Sequence, residues 1–278
     1  MPELPEVQTV VNDLITGGIP NRKIIDVKVL WERSLSDLSK SDFEKKITSL
    51  KFKKIFRRAK YIVCELSDNS YLIIHLRMTG KLYLLPSEAP IQKHEHIILY
   101  LDNNLSLRFN DTRKFGKFWL VKTPESVLGN LGPEPLENFS EKNFSKSLKQ
   151  NHRKLKSLLL DQTFIAGLGN IYVDEALWQA KLHPEMNSSK LSESQIKELL
   201  KAIKFVLEKG IKNRGTTLGS GADNFYSVEK KRGENAETLN VFRKEGKPCP
   251  RCNTKIIKLT VAQRGTHICP NCQKNDIA

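Results

Sequence analysis

No apolar run in this chain approaches the roughly 20 residues needed to cross a bilayer, which excludes a helical membrane anchor. No secretory leader is expected either, since Leu4 to Ile15 is too short and too interrupted by charge to serve as an apolar h-region. Internal repeats are absent, and with them the solenoid architectures. Cysteine is scarce and confined: of five, only Cys64 precedes residue 249, so a disulfide framework is the weaker reading. Acid is in deficit as well. The 46 Lys plus Arg against 31 Asp plus Glu leave a formal net charge of +15, which favours a polyanionic partner, and nucleic acid over membrane.

The surplus charge is clustered. Lys51 to Lys60 (KFKKIFRRAK) carries six cations and no acid, with Phe52, Ile55, Phe56 and Ala59 between them. That pattern suits a nucleic-acid contact or an edge strand guarded by lysines equally well. The remaining four cysteines are paired by spacing, Cys249-x2-Cys252 and Cys269-x2-Cys272 with sixteen residues between the pairs. Two such knuckles supply the four thiolates of a tetrahedral zinc site, whereas Cys64, inside YIVCEL, reads as a buried strand thiol.

With 278 residues the chain has room for two domains and a small module. Short apolar runs separated by turn residues (24–31, 61–66, 71–76, 96–101, 105–109 and 117–121) predict an antiparallel sandwich over residues 1–122. Asp68-Asn69-Ser70 and Asp102-Asn103-Asn104 fit hairpin turns. Residues 123–136 turn to Pro and Gly and predict a linker. A helical period follows in 139–149, 155–161, 171–180 and 192–209, the last opened by a Ser192/Gln195 capping box, and defines a helical domain over 137–225. Residues 213–247 lack periodicity and read as a long mobile loop, whose part 226–243 leads to the cysteine module, 244–278.

The start, Met1-Pro2-Glu3-Leu4-Pro5-Glu6, reads two ways. It is an ordinary helix start, with Leu4, Val7, Val11, Leu14 and Ile15 on one buried stripe. It is also a nucleophile, because removal of Met1 exposes Pro2 as a secondary amine beside two carboxyl groups. Its Schiff base is an iminium that keeps its positive charge, which makes it an electron sink for elimination.

MPELPEVQT, Arg58-Ala-Lys60-Tyr61, the strand His75-Leu-Arg-Met-Thr-Gly80, Asp111-Thr-Arg-Lys-Phe-Gly116, Ala166-Gly-Leu-Gly-Asn-Ile-Tyr172 and the CxxC pairs occur in this order. Together they resemble the formamidopyrimidine-DNA glycosylase family over essentially the whole chain. The resemblance implies an α+β multidomain fold: an N-terminal antiparallel β-sandwich with a leading helix, a helix-two-turn-helix domain and a C-terminal zinc ribbon.

It further implies excision of 8-oxoguanine and formamidopyrimidines and cleavage at the abasic site. Pro2 would attack C1′, Glu3 would protonate the ring oxygen, Glu6 would be the second carboxyl group, and Lys60 and Arg264 would donate protons in the two eliminations. Met78, Arg113 and Phe115 match the residues that fill the hole left by an everted base, while His75, His94 and Asn170 match backbone contacts; Arg153, or Lys154 beside it, would contact phosphate too. Cys249, Cys252, Cys269 and Cys272 would hold one structural Zn²⁺. The implied partner is duplex DNA carrying oxidised bases or abasic sites, met by a monomer in the cytoplasm at the bacterial nucleoid.

Two features depart from the family pattern: Gln8 stands in place of a glutamate, and residues 216–240 differ from the usual loop over the everted base. An endonuclease VIII-like enzyme for oxidised pyrimidines is an alternative, disfavoured by Leu4 in PELP. A non-catalytic zinc-ribbon protein that binds nucleic acid by charge would leave Pro2 and Glu3 without a use.

Overall fold

Leu4, Val7, Val11 and Leu14 form the buried face of α1 (Leu4–Thr16) in a computed structural model that describes residues 1–137, 140–221 and 223–275. Ile15, expected on that stripe, is 44% exposed, and Val10 is buried instead. Glu3 and Glu6 close the helix start as a capping box, with Glu3 N donating to Glu6 Oε2 at 2.8 Å and the Glu3 side chain accepting from the Glu6 amide.

The chain forms two compact units, Met1–Asn130 with Asn213–Ala236, and Leu131–Lys212 with Glu237 onward. In the first, β1 (Ile24–Val29), α2 (Lys40–Ile47), β2 (Phe52–Arg58), β3 (Tyr61–Leu66), β4 (Tyr71–His75), β5 (Lys81–Pro86), β6 (Glu95–Leu101), β7 (Leu105–Asn110), β8 (Lys117–Val121) and α3 (Glu125–Leu128) follow α1. The strands pair antiparallel into two sheets of order β1-β6-β7-β5 and β2-β3-β4-β8. Val27, Leu99, Leu107 and Phe109 of one sheet share a core with Ile55, Ile62, Leu72, Ile74 and Phe118 of the other, and the Phe109 and Phe118 rings meet edge-on at 5.0 Å. This is the expected sandwich.

The basic run 51–60 forms β2, an edge strand with Lys53 and Lys54 facing out. A strand over His75–Gly80 does not form. β4 stops at His75, Arg77 adopts φ +54°, and Gly80 N bonds back to Leu76 O at 3.0 Å in a turn that a Cβ on Gly80 would block, 2.4 Å from that oxygen. β5 then begins in KLYLLP, a stretch whose mixed pattern gave no strand signal.

In the second unit, α4 (Glu141–Lys149), α5 (Leu155–Leu159), α6 (Asn170–Gln179) and α7 (Glu193–Lys212) precede the hairpin of β9 (Ile257–Val261) and β10 (Arg264–Ile268). Ser140 caps α4, while Phe139, expected to begin that helix, lies outside the described residues, as do the last three residues of the cysteine module. The Ser192/Gln195 capping box forms, with bonds of 2.8 and 3.2 Å. α7 runs through Gly210, where a Cβ would come within 2.5 Å of the Tyr172 hydroxyl. No helix among the described residues is long and apolar enough to cross a membrane.

Residues 213–236 differ most from expectation. The helical domain was expected to run to residue 225 and the loop to be mobile, yet this segment packs in the first unit, with Val228 4% exposed in the sandwich core and Phe225 against it. Hydrophobic periodicity could not reveal it, because the two side chains that reach the core, Phe225 and Val228, stand in a Gly- and Asn-rich stretch and carry no period.

Candidate active site and nucleic-acid interface

Pro2 is buried behind an exposed Met1, next to Glu3 and Glu6, which are 3% and 1% exposed. The two oxygens of Glu6 are used on different partners: Oε2 accepts from Glu3 N, and Oε1 accepts from Thr216 N at 2.7 Å. One carboxyl group thus fixes both the N-terminal backbone and the root of segment 213–236. Gln8, in the next turn, uses both ends of its amide, accepting from Arg57 Nε at 3.0 Å and donating to Asn12 at 2.9 Å. A carboxylate could not donate the second bond, which gives the departure from the family's glutamate a physical reason.

Arg57 also reaches Ala59 O at 3.0 Å, so Gln8 ties α1 to the β2–β3 turn that carries Lys60. Ala59 sits at φ +53°, and Lys60 is only 5% exposed. Opposite in the ladder, Tyr61 pairs with His75, their rings edge-on at 4.5 Å. Burial, together with the Arg77 and Lys60 charges, pushes His75 down to about 3. Its Nδ1 accepts from Arg77 N at 2.9 Å, which leaves Nε2–H as the donor of a neutral ring.

Met78 and Phe115 are 42% and 49% exposed, unusual for such side chains, and the Arg113 guanidinium lies 4.9 Å from the centre of the Phe115 ring. Both turns hang on Asp111, which is fully buried. Its Oδ1 accepts from the Thr79 hydroxyl and from Arg113 N at 3.2 Å, and its Oδ2 accepts from Phe115 N and Gly116 N, both at 2.8 Å. His94, half-buried, accepts through its backbone carbonyl from Asp111 N at 2.9 Å. Asp111 was not singled out from the sequence for this role, although it heads the DTRKFG motif.

Arg264 is exposed in the second unit, at the end of a two-residue turn whose Ala262 and Gln263 both have positive φ, 52° and 58°. Asn170, the first residue of α6, donates from Nδ2 to Gly265 O at 2.9 Å, and its Oδ1 has no partner. The side chain therefore braces the hairpin tip. Beneath the tip, Lys156 Nζ bonds to Asp174 Oδ1 at 2.5 Å, and Asp174 Oδ2 accepts from His267 N at 3.0 Å, all buried. Arg153 is engaged with Asp161 at 2.6 Å, a bond that holds the Asp161 carboxyl below its usual range. Neither Asp174 nor Lys156 carries a periodic or motif signal that would have marked it.

The four thiols of Cys249, Cys252, Cys269 and Cys272 lie within 4.8 Å of one another, with neighbouring sulfurs 3.3–3.9 Å apart. Four sulfurs about 2.3 Å from a tetrahedral zinc sit about 3.8 Å apart, so the site fits the ion. Trp178 Nε1 donates to Cys249 Sγ at 3.4 Å, an outer contact of the kind that orients a metal ligand.

Comparison with known proteins agrees with this layout. Family models match residues 1–118 (formamidopyrimidine-DNA glycosylase N-terminal domain), 131–221 (the H2TH domain of the same enzyme) and 246–275 (a zinc finger found in FPG and IleRS). The formamidopyrimidine-DNA glycosylase of Protochlamydia amoebophila is 48% identical over 99% of this chain and all of its own, and that of Pelotomaculum thermopropionicum is 43% identical over 99% of each. The chain belongs to the formamidopyrimidine-DNA glycosylase family.

Among solved structures, a Lactococcus lactis Fpg variant in complex with DNA containing Fapy-dG superposes with a TM-score of 0.91 at 39% identity, covering 99% of this chain and all of that one. The L. lactis enzyme with abasic-site DNA gives 0.90 at 39% identity, covering 98% and 100%. Membership across all three regions removes the reading as a zinc-ribbon binding module alone, and it identifies the cysteine module as the family's zinc finger.

Proposed function

We propose that this protein is a DNA glycosylase and AP lyase that removes oxidised purines, 8-oxoguanine and formamidopyrimidines, from duplex DNA. The observation that carries the reading is the N-terminal constellation: Pro2, buried and flanked by two carboxyl groups locked in a capping box. Relatives that bind Fapy-dG and abasic DNA support the substrate class.

With Met1 removed, the Pro2 nitrogen attacks C1′ of an everted nucleotide; the C1′–N bond breaks and the base leaves with a proton. Glu3 protonates the ring oxygen as the sugar opens, and the nitrogen and C1′ become an iminium. Its positive charge acidifies the 2′ hydrogen. Loss of that proton expels the 3′ phosphate, a second elimination expels the 5′ phosphate, and a one-nucleotide gap remains, with Lys60 and Arg264 supplying protons.

Met78, Arg113 and Phe115 fill the vacated stack, the exposed aromatic serving as the wedge. His75, His94, Arg153 and Asn170 contact the DNA backbone. The protein acts as a monomer on chromosomal DNA in the cytoplasm. Zn²⁺, held by the four cysteines, supports the β9–β10 hairpin and takes no part in the chemistry.

Borohydride added to a reaction on a duplex with 8-oxoguanine opposite cytosine should trap a covalent adduct, and intact mass should show Met1 absent. A Pro2→Gly variant that traps as well as the wild type would sink the mechanism.

A further inference from the structure

Segment 213–236 is rooted on α1 by a second carboxyl group, besides Glu6, that has no place in the chemistry above. Asp13 lies in the third turn of α1, 4% exposed. Its Oδ1 accepts from Arg214 Nη2 at 2.7 Å, and its Oδ2 accepts from Val228 N at 3.2 Å. One buried side chain therefore grips the segment at two points fourteen residues apart in sequence, just beyond the end of α7 and beside the apolar anchor Val228. Arg214 itself adopts φ +55° and Gly215 φ +82°, so the chain reverses sharply to bring the guanidinium onto Asp13.

The neck where the two ends of the segment meet is closely built. Asn235 N bonds to Gly215 O at 3.0 Å, Gly233 N bonds to Thr217 Oγ1 at 2.8 Å, and a Cβ on Gly233 would lie 2.3 Å from Gly215 O. Thr216, in the middle of this neck, donates to Glu6, whose other oxygen holds Glu3 N. The neck is therefore linked through Glu6 to Glu3, the residue that follows Pro2, and the footing of the segment depends on α1.

We infer that Asp13 and Arg214 are positioning residues that set residues 216–221 and 223–232 against the damaged base during excision. The inference rests on the proposed function and names which of its steps feels the clamp. Release of the base depends on how that base is held, so loosening the footing slows it. Elimination at an existing abasic site involves a sugar with no base on it, so that step does not depend on the segment.

The test measures both steps on full-length protein, by single-turnover excision of 8-oxoguanine opposite cytosine and by strand cleavage at a preformed abasic site. Arg214→Gln, at a half-exposed side chain, and Asp13→Asn should each slow excision by about tenfold, the scale of a modest misplacement of a reacting group, while abasic cleavage stays within about twofold of wild type. Arg214→Lys, which keeps the charge and loses the fork, should recover part of the loss. Equal slowing of both steps, or of neither, in the folded Arg214→Gln variant overturns the inference. If the wild type fails to trap on either substrate, the proposed function fails instead.

Discussion

The turn that carries Arg113 and Phe115 and the hairpin that carries Arg264 both present a cation at the protein surface, but they are held in different ways. The first hangs on a single buried carboxylate, Asp111, that accepts from one hydroxyl and three backbone amides. The second stands on four thiols and on the buried Lys156–Asp174 pair. A hydrogen-bonded turn is complete as soon as the chain folds. The zinc-held tip is complete only when the ion is present, which makes its geometry depend on metal supply.

Metal removal should separate the two most sharply. Structural zinc contributes about 10–16 kcal/mol to the folding of small finger peptides, so a strong chelator should abolish duplex binding through the hairpin. The thermal transition of the sandwich should stay in place, because its core contains none of these cysteines. Unchanged DNA affinity after complete zinc release would show that Arg264 needs no such support.

A smaller effect is expected at the other end of the comparison. Asp111→Asn places an amide against backbone donors, and each donor left unmatched costs about 1–3 kcal/mol. The variant should lose stability and affinity for lesion duplex while retaining stoichiometric zinc. If it matches wild type in both, the turn is held by something other than this carboxylate.

The smallest expected effect is one of pH. With His75 held at about 3 in the folded protein against an ordinary 6.5, the unfolded chain takes up the proton first. Stability is therefore fully present above pH 6.5 and declines as the pH falls towards 3. At pH 5 the loss is about 2 kcal/mol. His75→Gln should flatten this acid limb between pH 7 and 5, as read by urea midpoints, and an unaltered slope would assign the acid sensitivity elsewhere.

Much of this was legible in the sequence because it depends on local pattern. The apolar stripe of α1, the Ser192/Gln195 box, the sandwich runs and the paired CxxC knuckles each follow from spacing over a few residues. What was not legible depends on partners distant in sequence. Asp13 lies 201 positions from Arg214, and Glu6 lies 210 from Thr216, so no window contains either pair. The turn at 76–80 was hidden for another reason: Arg77 with positive φ is a conformation that its residue type does not announce. Asn170 illustrates a third limit, because its motif marks where the residue sits but not that its amide is donated to Gly265.

The burial of Pro2 behind Met1 has a practical consequence for anyone producing this protein. An affinity tag fused ahead of residue 2 would leave the proline nitrogen as an amide, its lone pair delocalised into the carbonyl. Such a preparation would carry every side chain of the native enzyme, and on the proposed mechanism it would bind damaged DNA without cutting it. A carboxyl-terminal tag avoids the block, and the amino-tagged form then serves as an inert control that needs no mutation.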